Sequence, residues 1–387
     1  MRNIIHFSQD FKDSKIKLGG FTRVLNQTKD GNKHFIFTVG DYFREIKNFD
    51  NNQNLTVIQF RLIKLNIFSL FFQPFVVLYL FFAIKSYLNK NKIKIDLLIA
   101  HSQLVNFYIL YFLKNLKVKL IWEFNGIWGF NLKRISLKSS IRQSFQYLSQ
   151  FFVIILADGF VFQTDSTRIW LQQKYKVKFK RYVVLLNSFE FEENSIPRSR
   201  KTNDLSLLVF GLLDDLNGIN FLIDSLPILS KVENLKIDIY GQGNLLNKLI
   251  LSTKKYDFIE YKGTFNKNEL SDVMSNYNFG LIPRINCLGS NLYIPTKLVE
   301  LMGNGVIPIC SNVGGLTEVI ENEVNGFIFE SSNINSLVST LNNISLKYDE
   351  LELNKISDTA YNTINKKFSL DSFKQKQIYF LEQIINK

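Results

Sequence analysis

Between Leu281 and Gly315 the chain reads LIPRINCLGSNLYIPTKLVELMGNGVIPICSNVGG, and within it stand Arg284, Lys297 and Glu300. Pro295-Thr296-Lys297 has the form of a helix start, because a proline in the first helical turn loses no hydrogen bond. Lys297 and Glu300 are three residues apart and so share one face of that helix. Leu298, Val299, Leu301 and Met302 are left to bury the other face. Two cations, a carboxylate and the free N–H groups of a helix start suit a ligand that carries both phosphate and hydroxyl groups. Each cation could instead belong to a surface ion pair, and Glu300 could simply pair with Lys297. Gly314-Gly315 opens the next helical pattern and allows backbone to come close to a ligand, or makes a plain tight turn.

Such residues act together only if a scaffold holds them. Short apolar runs alternate with longer helical patterns along all 387 residues, the signature of parallel α/β sheets. In the first half strands are expected at 3–7, 34–39, 55–60, 96–101, 118–124, 159–163 and 182–186, with helices over 20–28, 67–89, 104–115, 137–157 and 166–174. A polar stretch after Asn187, with Pro197 and mixed charge, is the best linker. The second half restarts with strands at 205–210, 235–240, 258–262, 279–283, 305–310 and 326–329. Its helices are expected at 218–230, 268–277, 295–303, 315–321 and beyond Asn333. The length suits two domains of roughly 150–200 residues.

The segment Pro283-Arg284, Pro295-Thr296-Lys297-Leu298-Val299-Glu300, Gly305 and Val306-Ile307-Pro308 resembles the donor site of the retaining glycosyltransferases of family four. The likeness is greatest to a bacterial surface-polysaccharide branch. VFGLLDDLNGINFLIDSLPIL, IYGQGNLLNKL and YKGTFNKNELSDVMSNYNFGLIPR follow in the family's order, and DGFVFQTDSTRIWL and VVLLNSFEFEE resemble its pattern before the linker. The resemblance implies the GT-B fold, two Rossmann-like parallel-sheet domains with an interdomain cleft. The acceptor-binding domain would cover 1–190 and the nucleotide-sugar domain 191–369, with a helix over 370–387 crossing back to the first domain.

The same resemblance implies the site. Arg284 and Lys297 would hold the diphosphate, and Glu300 would accept hydrogen bonds from the ribose hydroxyls. Gly211, Gly314 and Gly315 would line the donor. Gly19-Gly20, between the first strand and its helix, would approach the donor phosphate or the acceptor, although loop flexibility explains that pair equally well. Glu123 and Asn125, at a strand end where α/β ligands gather, would touch the acceptor or the transferred sugar. His101 ends another strand and reads as a satisfied histidine. The chain departs from the wider family in having Leu212, Asn217 and Leu292 where many members have Arg, Lys and Glu. Two cations on the diphosphate could replace a metal, so no metal and no cofactor beyond the nucleotide-sugar co-substrate is expected.

Composition narrows the partners. Residues 1–190 hold 28 Lys and Arg against 11 Asp and Glu, and residues 191–387 hold 19 against 23. The basic half suggests a polyanion: an anionic membrane surface, a lipid diphosphate, or less plausibly nucleic acid, for which no recognisable motif is present. A solvated basic surface is the plain alternative. Two cysteines, Cys287 and Cys310, give neither a disulfide framework nor a zinc pattern, so a reducing compartment is expected. No signal peptide is read at the start. Residues 67–84 are uncharged and apolar but interrupted by Gln73-Pro74, and are expected to pack on the sheet or dip into the membrane interface rather than span it. These features together point to a peripheral protein on the inner face of the plasma membrane. The resemblance implies that it would pass a sugar from a nucleotide diphosphate to a lipid-linked saccharide. An inactive homologue, a nucleotide-sugar epimerase and a non-enzymatic adaptor are the alternatives.

Overall fold

The computed structural model describes residues 2–7, 24–40, 43–61, 69–101, 118–124, 148, 150–187 and 205–386. The chain divides into two compact units, residues 1–188 with 370–387, and residues 189–369.

The first unit is built on an eight-stranded sheet in the order β3-β4-β2-β1-β5-β6-β7-β8. Its strands are β1 (Asn3–Phe7), β2 (Lys33–Gly40), β3 (Arg44–Lys47), β4 (Leu55–Arg61), β5 (Leu97–Ala100), β6 (Lys119–Phe124), β7 (Gly159–Phe162) and β8 (Tyr182–Val184). All neighbours are parallel except β3, which pairs antiparallel with β4. Apolar runs such as Leu97–Ala100 are buried throughout, as a sheet covered on both faces requires. The order reverses between β2 and β5, on either side of β1.

Residues 69–90 form helix α1 (Ser69–Lys90). No described helix is long and apolar enough to cross a membrane. Helix α2 (Asp165–Tyr175) begins at Thr164, whose side chain accepts from the Thr167 N–H, satisfying one of the donors a helix start leaves open. The expected helix over 104–115, most of that over 137–157 and the linker lie outside the described residues.

The second unit carries a six-stranded, all-parallel sheet in the order β11-β10-β9-β12-β13-β14. These are β9 (Leu205–Leu212), β10 (Leu235–Gln242), β11 (Ile259–Gly263), β12 (Phe279–Ile282), β13 (Ile307–Ser311) and β14 (Phe327–Phe329). The helices are α3 (Ile219–Leu229), α4 (Leu246–Thr253), α5 (Leu270–Met274), α6 (Leu288–Leu292), α7 (Thr296–Gly303), α8 (Gly314–Thr317), α9 (Ile334–Lys347) and α10 (Glu350–Phe368). Leu207, Val209, Ile237, Phe279, Leu281 and Ile309 are central to its core. The order reverses at β9, between β10 and β12, and α/β sheets bind ligands beyond the strand ends at such a point.

Helix α11 (Leu370–Ile385) returns to the first unit. Its Phe373, Phe380, Leu381 and Ile384 share a core with Ile4, Leu97 and Ile121. The element pattern read from the sequence holds, with four differences. β3 was not expected, because Arg-Glu-Ile-Lys is polar and mostly exposed, as suits a charged sheet edge. Helices α4 and α6 were not expected either. Pro295 is the residue before α7 rather than within its first turn, since its ψ of 140° is extended.

Candidate functional site in the second unit

Arg284 leaves the carboxyl end of β12 one residue after Pro283 and is 6% exposed. Its backbone is pinned, because its carbonyl accepts from Ser311 Oγ at 2.7 Å and from Ser331 Oγ at 3.0 Å. The guanidinium Nη1 donates to the Tyr293 carbonyl at 3.2 Å, while Nε is buried without a hydrogen-bond partner. Burial pushes this guanidinium below its ordinary pKa, and Cys287 and Asp214 offset part of that.

Lys297 lies in the first turn of α7 and is half-buried. Its ammonium donates to Asn217 Oδ1 at 3.0 Å. Asn217 is held in turn by Asp214, whose Oδ1 accepts from the Asn217 N–H at 2.9 Å and from its Nδ2 at 2.8 Å. Burial first and the Arg284 charge second bring Lys297 down to about 8, against a smaller pull upward from Asp214 and Glu300. Among the described residues no ion pair joins either cation to a carboxylate. Two partly desolvated positive charges thus stand together, an arrangement that an incoming anion would relieve.

The loops around them are built tightly. Gly211, next to last in β9, has φ of +105°, and a Cβ there would lie 3.5 Å from both Cε and Nζ of Lys297. Gly218 has φ of +78°, and its missing Cβ would sit 1.7 Å from the Pro283 carbonyl oxygen, so the β9–α3 loop lies directly on the residue before Arg284. Glu300 stands on α7 near Lys297, close enough to act on its charge. Gly314 and Gly315 open α8, a helix of four residues. Their space is taken by the chain itself: a Cβ at Gly315 would meet the Tyr293 carbonyl oxygen at 2.1 Å, and the Gly314 N–H donates to Asn291 Oδ1 at 2.8 Å. These two glycines are explained by packing against residues 290–293.

The structure therefore brings Arg284, Lys297, Glu300 and Gly211 into one region of the second unit. Asn217 was read in the sequence only as a missing cation, yet it is the residue that orients Lys297. Leu292 is buried in the core at 5% exposure. In the first unit Glu123 is fully buried, and its Oε2 accepts from Gln27 Nε2 at 2.7 Å and lies 2.6 Å from His101 Nδ1. It is a member of an internal network rather than a group open to a ligand. Gly19, Gly20 and Asn125 lie outside the described residues.

If the ammonium of Lys297 is the form that binds an anion, nucleoside diphosphate affinity should weaken as pH rises through about 8. The sign follows from charge: deprotonation removes the attraction. Calorimetric titrations of wild type and Lys297→Arg between about pH 7 and 9 should show the loss in wild type alone, because arginine stays protonated throughout.

Comparison with known proteins bears on this arrangement. The sequence profile described as glycosyl transferases group 1 matches residues 190–363. An uncharacterized glycosyltransferase of Methanocaldococcus jannaschii is 25% identical over 177 residues, a stretch that spans 44% of this chain and 43% of that protein. A glycosyltransferase from Rickettsia africae superposes with a TM-score of 0.72 at 16% identity, covering 100% of this chain and 99% of the other. HepE of Anabaena in complex with UDP-glucose superposes with a TM-score of 0.69 at 14% identity, covering 99% and 100%. At these identities the structural likeness is one of fold: two parallel-sheet α/β domains of the GT-B kind.

Proposed function

Because residues 190–363 match the profile of the glycosyl transferases group 1, we propose that this protein transfers a sugar from a nucleoside diphosphate to an acceptor hydroxyl. The observation that carries the reading is the unneutralised pair Arg284 and Lys297, at the end of the sheet where its strand order reverses. Both cations would face the diphosphate. Negative charge grows on the phosphate oxygen as the bond to the anomeric carbon breaks, and fixed cations stabilise that charge more in the transition state than in the ground state. Each charge at about 4 Å is worth roughly 4 kcal/mol at an effective dielectric near 20. Together they supply the stabilisation that a metal gives elsewhere, so the reaction is assigned as metal-independent.

In a retaining transfer the acceptor oxygen bonds to the anomeric carbon on the face the phosphate leaves. The departing phosphate oxygen takes the acceptor proton. No side-chain nucleophile is needed. Glu300, one helical turn from Lys297, is assigned to the ribose hydroxyls, since a carboxylate offers two acceptor oxygens to a vicinal diol. The donor glycines are assigned unequally: Gly211 lies against the Lys297 side chain, which an added Cβ would touch at 3.5 Å, whereas Gly314 and Gly315 act through their packing against residues 290–293.

The acceptor is assigned as a lipid-linked saccharide in surface-polysaccharide synthesis. The surplus of Lys and Arg in residues 1–190 would hold the protein against the anionic inner face of the plasma membrane. Thermal-shift measurements separate the two halves of the ligand. Glu300→Ala should lose the preference for nucleoside diphosphate over inorganic pyrophosphate while still binding both. Equal discrimination in the variant and in wild type would remove the ribose role.

A further inference from the structure

The β9–α3 loop carries a carboxylate that stands behind the two cations without touching either. Asp214 is half-buried, and its Oδ1 accepts the Asn217 N–H at 2.9 Å and Asn217 Nδ2 at 2.8 Å. The other end of the same amide, Asn217 Oδ1, accepts the Lys297 ammonium at 3.0 Å. Chemistry fixes the direction of this amide. An ionised carboxylate only accepts and an ammonium only donates, so Nδ2 must face Asp214 and Oδ1 must face Lys297. The loop itself is tied down: the Ile219 N–H donates to the Asp214 carbonyl at 3.2 Å, and the Leu216 carbonyl accepts from the Ile285 N–H at 3.3 Å. Asn217 is buried, so its amide is a fixed spacer between carboxylate and ammonium.

That spacing separates two effects of one negative charge. Asp214 attracts both cations, pulling Lys297 upward against burial and the Arg284 charge, and pulling Arg284 upward against burial. Among the described residues, however, it forms an ion pair with neither. A carboxylate in direct contact would neutralise the ammonium and compete with a phosphate for its donors. Held one amide away, it favours the charged form and leaves the remaining donors open. Among the described residues the ammonium has no acceptor besides Asn217.

We propose that Asp214 is a positioning residue: by fixing the Asn217 amide it aims the Lys297 ammonium, and it lends that ammonium a counter-charge that does not occupy it. The role rests on reading Arg284 and Lys297 as the partners of a diphosphate. The charged groups that act on Lys297 are Arg284 beyond β12, Asp214 in the β9–α3 loop and Glu300 on its own helix. Without the Asp214 charge, burial and Arg284 are opposed by Glu300 alone, so Lys297 should lose its proton at lower pH than in wild type.

Carbon-13 NMR of the full chain labelled at lysine Cε follows Lys297 with no ligand present, its resonance being identified by its loss in Lys297→Arg. The midpoint should be about 8 in wild type. It should fall in Asp214→Asn, which keeps an acceptor oxygen for Asn217 but no charge. It should rise in Asn217→Asp, which sets a carboxylate directly on the ammonium. Isothermal titration with inorganic pyrophosphate at about pH 7 should run against that rise. Asn217→Asp should lose at least about tenfold in affinity, because the new carboxylate repels the anion. A midpoint unmoved or raised in Asp214→Asn, which a merely structural role predicts, would overturn the proposal. So would an Asn217→Asp variant that binds pyrophosphate as tightly as wild type. A wild type that binds no pyrophosphate, with both midpoints moving as stated, would remove the diphosphate reading and leave the role of Asp214 toward Lys297 standing. Should Asp214→Asn fail to fold, Asp214→Ser gives the same test, since its hydroxyl can accept the Asn217 N–H without a charge.

Discussion

Arg284→Met should lower sugar transfer by about 10²–10³-fold at saturating donor, the usual loss when one charge-stabilising donor is removed from a transition state. Its effect on stability should run the other way. The guanidinium is buried, with Nε unpartnered and one bond to the Tyr293 carbonyl. Replacing such a group by an apolar chain of similar length removes a desolvation cost, which for buried charges often outweighs the interactions lost. Urea unfolding should therefore give a midpoint equal to or above wild type, while single-turnover transfer collapses. A residue kept at a cost in stability but needed for activity is what a binding site for an anion predicts. Transfer within about threefold of wild type would remove Arg284 from the reaction.

The second large effect is expected at Gly218→Ala. Two penalties coincide there. A φ of +78° is strained for any residue with a Cβ, and that Cβ would stand 1.7 Å from the Pro283 carbonyl oxygen. The left-handed conformation alone costs roughly 1–2 kcal/mol. The clash with backbone cannot be relieved by a side-chain rotation, which places the total at about 4 kcal/mol or more, among the large single-residue effects. Because Pro283 adjoins Arg284, any relief moves the guanidinium, so binding should be lost along with stability. Gly263→Ala is the control: its φ is +97°, yet nothing lies within 4 Å of the added carbon. Denaturant midpoints should show a much smaller loss at Gly263 than at Gly218. Equal losses would mean that conformation, not the contact with Pro283, dominates.

The second sheet was readable because its strands are apolar runs with turn residues at their ends, and the helix at 296–303 because its polar and apolar faces alternate at helical spacing. β3 was not, since Arg44–Lys47 presents a polar pattern to solvent and owes its strand form to pairing with β4. Arg284 and Lys297 could be proposed from residue type and spacing. Their lack of ion-pair partners could not, because it depends on which side chains the β9–α3 loop sends toward them. Asn217 shows the limit well: in sequence it was a cation gone missing, and in space it is the acceptor that aims Lys297. Glu123 was expected near a ligand because it stands at a strand end. It points into the sheet's covered face instead, toward histidines whose sequence separations of 28 and 95 residues from His6 gave no signal.

The proposed reaction requires the second unit to grip a diphosphate through Arg284 and Lys297. Isothermal titration of the full chain with nucleoside diphosphates and with the matching nucleosides, in wild type and in the Arg284→Met, Lys297→Met double variant, tests it most directly. Wild type should bind one diphosphate far more tightly than its nucleoside, and the double variant should erase that difference. A wild type that binds no diphosphate, or a double variant that keeps the full preference, would contradict the account.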